Sequence, residues 1–390
     1  MSVSSTVPSR RRRSLVVATL APVALATMPG CGSMPWSSSS RSAPPPPPLA
    51  RGSAVLRPRW SAPFAGGVNC APAVTHSGIW VASPEGRLAL LDPATGAARW
   101  TLSVARSVVA GVGARGAFGA LATSDGDLIA FDAAGKQLWK VTLGAEAVTV
   151  PAVTEQGVYV RCSDRRTLGF ERMTGKRIWS LTRTGPNLVL RQTASIAASD
   201  RRLFLGFPGG RLAALDESTG AQIWETAVAV PRGSNEIERI ADVVGLPSVS
   251  AQDVCAVAFQ GRIACFDRAS GRMLWNRDLS SPGGVAGTGT MIAFCDERGY
   301  VHAFSRSGAS LWRQAGLAGR SPSAPAFAGS RLILSDRDGL VYALALDDGA
   351  IEARSPTDGK PAAGAPLIAG DLALVQTVRG ALHAFAIGAA

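Results

Sequence analysis

The stretch RLALLDPATGAARW, Arg87 to Trp100, decides the fold, because the chain repeats it with small changes. An apolar strand (Leu88, Leu90, Leu91) ends at Asp92, a turn closes on Thr95-Gly96, and Trp100 follows four residues after that glycine. Later copies read DLIAFDAAGKQLW, ending at Trp139; TLGFERMTGKRIW, at Trp179; RLAALDESTGAQIW, at Trp224; RIACFDRASGRMLW, at Trp275; YVHAFSRSGASLW, at Trp312; and LVYALALDDGAIEA, where Ala353 takes the tryptophan's place. Self-similarity at a fixed period of this size marks a solenoid, propeller or array.

Ahead of each tryptophan the same pieces recur. In the first complete unit they are CAPAV, IWVAS, a turn at Gly86, RLALLD, the Thr-Gly turn and ARWTL, so four short strands make one unit. Apolar stretches of strand length, bounded by Gly, Pro and Asp and lacking a helical period, specify antiparallel hairpins. Trp60 lies 40 residues before Trp100 but has no first three strands ahead of it. The C-terminal GAPLIAGDLALVQTVRGALHAFAI has three strands and no tryptophan strand after it. Each fragment supplies what the other lacks, and joining them removes two open sheet edges. The expected fold is all-β: an eight-bladed β-propeller of four-stranded antiparallel blades over residues 55–390, closed by an N-terminal strand that completes the C-terminal blade.

The chain of 390 residues is 46% apolar and 17% charged, the composition of a folded globular protein. Residues 1–30 combine a basic run, Arg10 to Arg13, with the 13-residue apolar LVVATLAPVALAT, too short to span a bilayer and built like an export signal. The arginines leave Sec and Tat export both open. Met28-Pro29-Gly30-Cys31 resembles a lipobox, with Met in place of the usual Leu, which makes Cys31 the expected lipidation site. Gly32 is not the Asp that retains such lipoproteins at the inner membrane, so the outer membrane, facing the periplasm, is the expected location. Residues 31–54 read as a tether, with Pro44 to Pro48 a stiff polyproline II spacer. Removing the signal's four arginines lowers the net charge from +12 to +8, and no basic run appears in the repeats, so no nucleic-acid partner is expected.

Five cysteines remain: Cys70, Cys162, Cys255, Cys265 and Cys295. None fits a CxxC spacing. A two-residue turn at Gln260-Gly261 would set Ala256, not Cys255, opposite Cys265, which favours buried thiols over a disulfide.

Most tryptophan intervals are 37 to 41 residues, but Trp179 to Trp224 is 45 and Trp224 to Trp275 is 51. Both additions fall between the outer strand of one blade and the inner strand of the next, so they emerge on one face from adjacent junctions, where repeat proteins place function. The first, RTGPNLVLRQTAS, puts Leu188, Leu190 and Arg191 in a connector. The second, PRGSNEIERIADVVGLP, carries Glu236 and Glu238 early in a one- to two-turn helix, with Ile237 and Ile240 three apart. Two readings stand. The leucines and arginine beside an acidic loop form a hot-spot patch, or Leu188 and Leu190 cap the core and Arg191 pairs with Asp242.

No catalytic constellation can be assembled. The acid pairs Asp125/Asp127 and Asp336/Asp338 flank turn glycines in separate blades, and the three histidines, His76, His302 and His383, do not converge. There is no phosphate loop, HExxH or Ser/His/Asp set, so no catalytic or metal residue and no cofactor is expected.

The unit resembles the PQQ-like β-propeller repeat, and the mature chain resembles the BamB family, lipoproteins of the outer-membrane β-barrel assembly (BAM) machinery. That resemblance implies a non-enzymatic scaffold. In BamB-like chains a Leu-x-Leu-Arg loop and a Gly-Ser-x-Glu-Ile-x-Arg-x-x-Asp loop bind a POTRA domain of the barrel-forming subunit BamA. Here the matching positions are Leu188, Leu190 and Arg191, then Gly233, Ser234, Glu236, Ile237, Arg239 and Asp242, with Val244 where relatives can carry a further acid. The implied partners are the BamA POTRA domain and the rest of the BAM complex, with unfolded barrel proteins as a further candidate. The alternative of another class is a propeller enzyme that binds PQQ or another ligand.

Overall fold

The computed structural model describes residues 43–49, 54–64, 70–104, 107–185, 188, 190, 195–235, 237 and 239–389. The signal, Cys31, Arg191, Glu236 and Glu238 lie outside the described residues. Ala43–Ala390 form one compact unit.

Its eight sheets each contain four antiparallel strands. Blade 1 comprises Ala73–Thr75, Gly78–Ala82, Arg87–Leu91 and Ala98–Ser103, and blades 2 to 7 follow at 108–142, 152–182, 196–227, 243–277, 286–314 and 326–356. Blade 8 takes Leu367–Ala369, Leu372–Gln376 and Ala381–Ala389 from the C-terminus and Ala54–Pro63 from the N-terminus. The joining strands pair antiparallel, with Leu56 opposite Ile387 and Trp60 opposite Ala384. The ring closes as the fragments predicted, and the first strands of successive blades touch at the hub.

The tryptophans join blade to blade. Trp224 Nε1 donates to the Arg268 carbonyl at 3.1 Å, and Trp179 Nε1 to that of Glu217 at 2.9 Å. Each acceptor lies in the next blade, one residue past the position that opens its third-to-outer turn. The same relation joins Trp60 to Pro93, Trp100 to Ala133, Trp139 to Arg172, Trp275 to Arg306 and Trp312 to Leu346. The turn glycine has its reason here: Gly271 has φ +72°, and a Cβ on it would stand 2.6 Å from the Trp224 ring. Asp267 opens that turn by accepting from Ser270 N at 2.8 Å.

Ala353 is explained by the closure. Its indole would have to land on a third-to-outer turn in blade 8, but there the third and outer strands are the two ends of the chain, so no turn exists to receive one.

The core is distributed accordingly. Each apolar cluster straddles two neighbouring blades: Phe204, Leu212 and Trp224 of blade 4 pack with Val254, Ala256 and Phe266 of blade 5, and Leu332 and Tyr342 of blade 7 with Ala293 and Trp312 of blade 6. A blade alone buries neither of its faces, which is why the ring has to close. A bulge precedes each tryptophan, as where Ala214 pairs Trp224 and Leu215 skips to Gln222. It turns the indole inward and leaves Ile223 exposed on the rim.

One expectation is corrected. Cys255 pairs directly with Cys265 and the two form a disulfide, with Cα atoms 4.0 Å apart. The hairpin turns through three residues, Phe259 to Gly261, closed by Ala258 N to Arg262 O at 2.9 Å. Gln260, at φ +49°, takes the left-handed position. An odd-length turn moves the register by one residue, and that brings the sulfurs together. Cys70, Cys162 and Cys295 are buried free thiols. Burial raises the first two to about 11 and pushes Cys295 higher still, so all three stay protonated and unreactive.

Candidate partner-binding face

Strand direction alternates within each blade, so the connectors from outer to next inner strand share one face with the second-to-third turns. Both inserted segments are such connectors, between blades 3 and 4 and between blades 4 and 5. They start like the others. Val228 N donates to the carbonyl of the turn glycine Gly210 at 2.8 Å, as Val104 does to Gly86 and Leu143 to Gly126.

Beyond that point the extra residues need their own supports. At the entry to the first loop Arg183 lies 4.2 Å over the Phe207 ring, donates to Gln222 Oε1 at 3.1 Å and pairs with Glu225, which Arg211 also holds at 2.8 Å. Burial works against the Glu225 carboxylate, yet the bonds from Arg211 and Arg183 keep it ionised below its ordinary range.

At the exit stands Asp242, 4% exposed. One carboxylate oxygen accepts Leu190 N at 2.7 Å and the other accepts Gly209 N at 2.9 Å. A single buried anion thus ties the first loop, the end of the second loop and the second-to-third turn of blade 4. Arg161, also buried, donates to the Gly206 carbonyl at 2.7 Å and lies 4.9 Å from the centre of the same Phe207 ring. Burial lowers it to about 10, with Arg183 adding repulsion and Asp242 opposing, so it remains a cation beneath the loops.

The predicted residues separate into two groups. Leu190 is part-buried against the cluster containing Val244, Cys255, Val257 and Ile292, so it caps the core. Leu188, 41% exposed, does not. Ile237 is 67% exposed, and Arg239, also exposed, donates from Nε to the Gly233 carbonyl at 3.1 Å. Asp242 turns inward and serves as a brace. Of the expected one- to two-turn helix the described residues show a single turn, carried by Arg239 N to Asn235 O and Ile240 N to Ile237 O, both 3.2 Å. The strand starting at Val243 leaves no length for more, and a lone turn carries the full nucleation cost.

Sequence reasoning missed Val230, 60% exposed in the second loop, and Leu246, exposed just beyond it. It also missed the brace. A signal was present: the turn of blade 4 reads Pro208-Gly209-Gly210, with two glycines where the other units carry one or none.

Elsewhere on the hub a cavity of about 600 Å³ is lined by small and apolar residues including Ala71, Pro72, Val108, Val148 and Leu374, with Glu146 the one ionisable side chain among the described residues. Among the described residues no three His, Cys, Asp or Glu side chains gather where they could hold a metal. No described helix is long and apolar enough to cross a membrane.

A family model described as outer membrane protein assembly factor BamB matches residues 84–307 and 297–389. The outer membrane protein assembly factor BamB of Bordetella pertussis is 36% identical over 379 residues, covering 96% of this chain and 97% of that one. Its counterpart from Burkholderia pseudomallei is 36% identical over 322 residues, 82% of this chain and 84% of that one. The crystal structure of BamB from Moraxella catarrhalis superimposes with a TM-score of 0.78 at 26% identity, covering 85% of this chain and all of that one. With the repeat, the closure and full-length similarity in agreement, the chain belongs to the BamB family of outer-membrane protein assembly factors, which are not enzymes.

Proposed function

We propose that this protein acts within the BAM complex as a scaffold and that its two inserted loops dock a POTRA domain of BamA. The carrying observation is the brace at Asp242, which ties the two adjacent loops to one turn, while Leu188 and Ile237 on those loops are exposed. Exposed apolar anchors on loops tied at their base suit a docking patch, because a tied loop has less freedom to lose on binding. Arg191, Glu236 and Arg239 supply the surrounding charge in this reading, and Leu190 and Asp242 hold the loops in position. Unfolded barrel proteins are a further candidate partner. Lipidation at Cys31 holds the propeller at the periplasmic face of the outer membrane; loss of radiolabelled palmitate from the Cys31→Ala protein tests this.

The docking test uses the two exposed anchors together. Leu188→Glu with Ile237→Glu should weaken co-purification of BamA at least about 30-fold, the equivalent of one hot spot of about 2 kcal/mol. Met173→Glu, on an exposed residue of the opposite face, should leave it unchanged. Full BamA recovery with the double variant would rule the patch out.

A further inference from the structure

The proline run lies against the propeller. Arg320 Nη1 donates to the Pro44 carbonyl, and Arg354 Nη1 donates to the Pro47 carbonyl at 2.7 Å. Gly319 and Gly316 face the same two prolines: a Cβ on Gly319 would stand 3.3 Å from Pro44 Cγ, and one on Gly316 3.2 Å from Pro47 Cβ. Both the acceptors and the small residues are therefore spaced by three. A polyproline II strand makes one turn in three residues, so Pro44 and Pro47 present carbonyls from one side, one turn apart. Pro47 is half-buried, and Pro44, Pro45 and Pro46 are exposed. Proline has no N–H, which leaves carbonyls as the only backbone groups to recognise, and arginines are the donors suited to them.

The leading donor is fixed in advance. Arg320 is 2% exposed; its Nε donates to Asp336 Oδ2 at 2.7 Å and to the Tyr342 hydroxyl at 3.1 Å, and its Nη2 to Asp338 Oδ2 at 2.9 Å. The Asp336/Asp338 pair thereby aims the remaining Nη1 outward at Pro44.

We infer that the junction of blades 6 and 7 is a polyproline-binding groove whose occupant is the chain's own segment Pro44 to Pro47. The groove belongs to an outer-to-inner connector, so it opens on the face that carries the inserted loops, two junctions further round the ring. One consequence, unlike the groove itself, rests on the proposed lipidation: the stretch from Cys31 to the first residue held on the propeller shortens from residues 32–53 to residues 32–43. Its greatest reach falls from about 73 Å to about 40 Å at roughly 3.3 Å per residue.

The test places a photo-crosslinking benzoylphenylalanine at position 45 of the full-length protein and maps the adducts by mass spectrometry. Adducts should concentrate in residues 314–320 and 351–354. Arg354→Gln with Gly316→Leu, both changes outside the blade cores, should reduce them at least about tenfold, as expected for the loss of one charge-assisted hydrogen bond, with the melting temperature unchanged. Adducts scattered over the propeller, or a yield that ignores these two changes, would overturn the groove. BamA binding is not part of the readout, so failure here leaves the docking proposal standing, and the reverse holds too.

Discussion

The junction of blades 2 and 3 and the junction of blades 4 and 5 begin with the same bond, an outer-strand amide donating to the carbonyl of the turn glycine, Leu143 to Gly126 in one and Val228 to Gly210 in the other. At the first, residues 144–151 lead to the next inner strand and Leu143 is buried. At the second the longer segment 229–242 intervenes, and it leaves Val230 and Ile237 in solvent. Among the described residues, the outer-to-inner connectors that expose large apolar side chains are the two that overrun the repeat. An insertion has no place in the repeating ladder, so it is either floppy or held by something new. Here the new element is one buried carboxylate. The blade bodies should therefore answer to mutation with stability, and the overrun junctions with binding.

The largest effect should come from a blade body. Trp224→Ala removes a buried indole, its bond to Arg268 and its packing on Gly271, and should cost about 3–5 kcal/mol in chemical denaturation. A loss below 1 kcal/mol would mean that the tryptophans are not what joins the blades. Next, Cys255→Ser with Cys265→Ser should lower stability by about 2–3 kcal/mol, the chain-entropy value for so short a loop. Reducing agent should then have no further effect.

Asp242→Ala tests the junction side. It leaves the amides of Leu190 and Gly209 without an acceptor and should cost about 1–3 kcal/mol. Hydrogen exchange at those two amides should rise more than at blade-core amides, and BamA affinity should fall although residue 242 is itself out of reach of a partner. Asp242→Asn, which keeps one acceptor oxygen, should fall between. Uniform protection across the loop in Asp242→Ala would show that the brace is dispensable.

The smallest effect concerns the closing blade. Burial keeps the His383 imidazole below its ordinary value of 6.5, with Asp358, 4.0 Å away, only partly opposing. The unfolded chain then binds the proton more readily than the folded one, so stability is intact above about pH 6.5 and declines as pH falls below it. Urea midpoints at about pH 7.5 and about pH 5.5 should differ, and His383→Gln should shrink the difference. A midpoint that rises on acidification would reverse the sign and remove His383 from the account.

Most of the architecture was legible because a propeller repeats its instructions. The four-strand unit, the Asp and Gly of the turn, the tryptophan spacing and the two complementary end fragments all survive as local pattern, and the ring needs nothing beyond them. The overrun junctions were legible as miscounts against that ruler. Which loop residue points where was not. Leu188 and Leu190 look alike in sequence, yet one is exposed and the other caps the core, because the direction of a connector is set by what anchors it and not by a period. The same limit hid the disulfide: one residue more in a turn changes every partner across the hairpin.

By itself, the sequence determined the blade, the number of blades and the place where the ring is sealed, since each depends on contacts within about 40 residues or on two ends that lack the same missing piece. Only the tertiary structure decided that Ala353 faces a junction with no turn to receive an indole, that Asp242 is a brace, and that the proline run lies on blades 6 and 7. The physical reason is common to all three. Each depends on a partner far away in the chain, and a pattern of nearest neighbours carries no record of which distant amide, carbonyl or turn the folded ring will bring alongside.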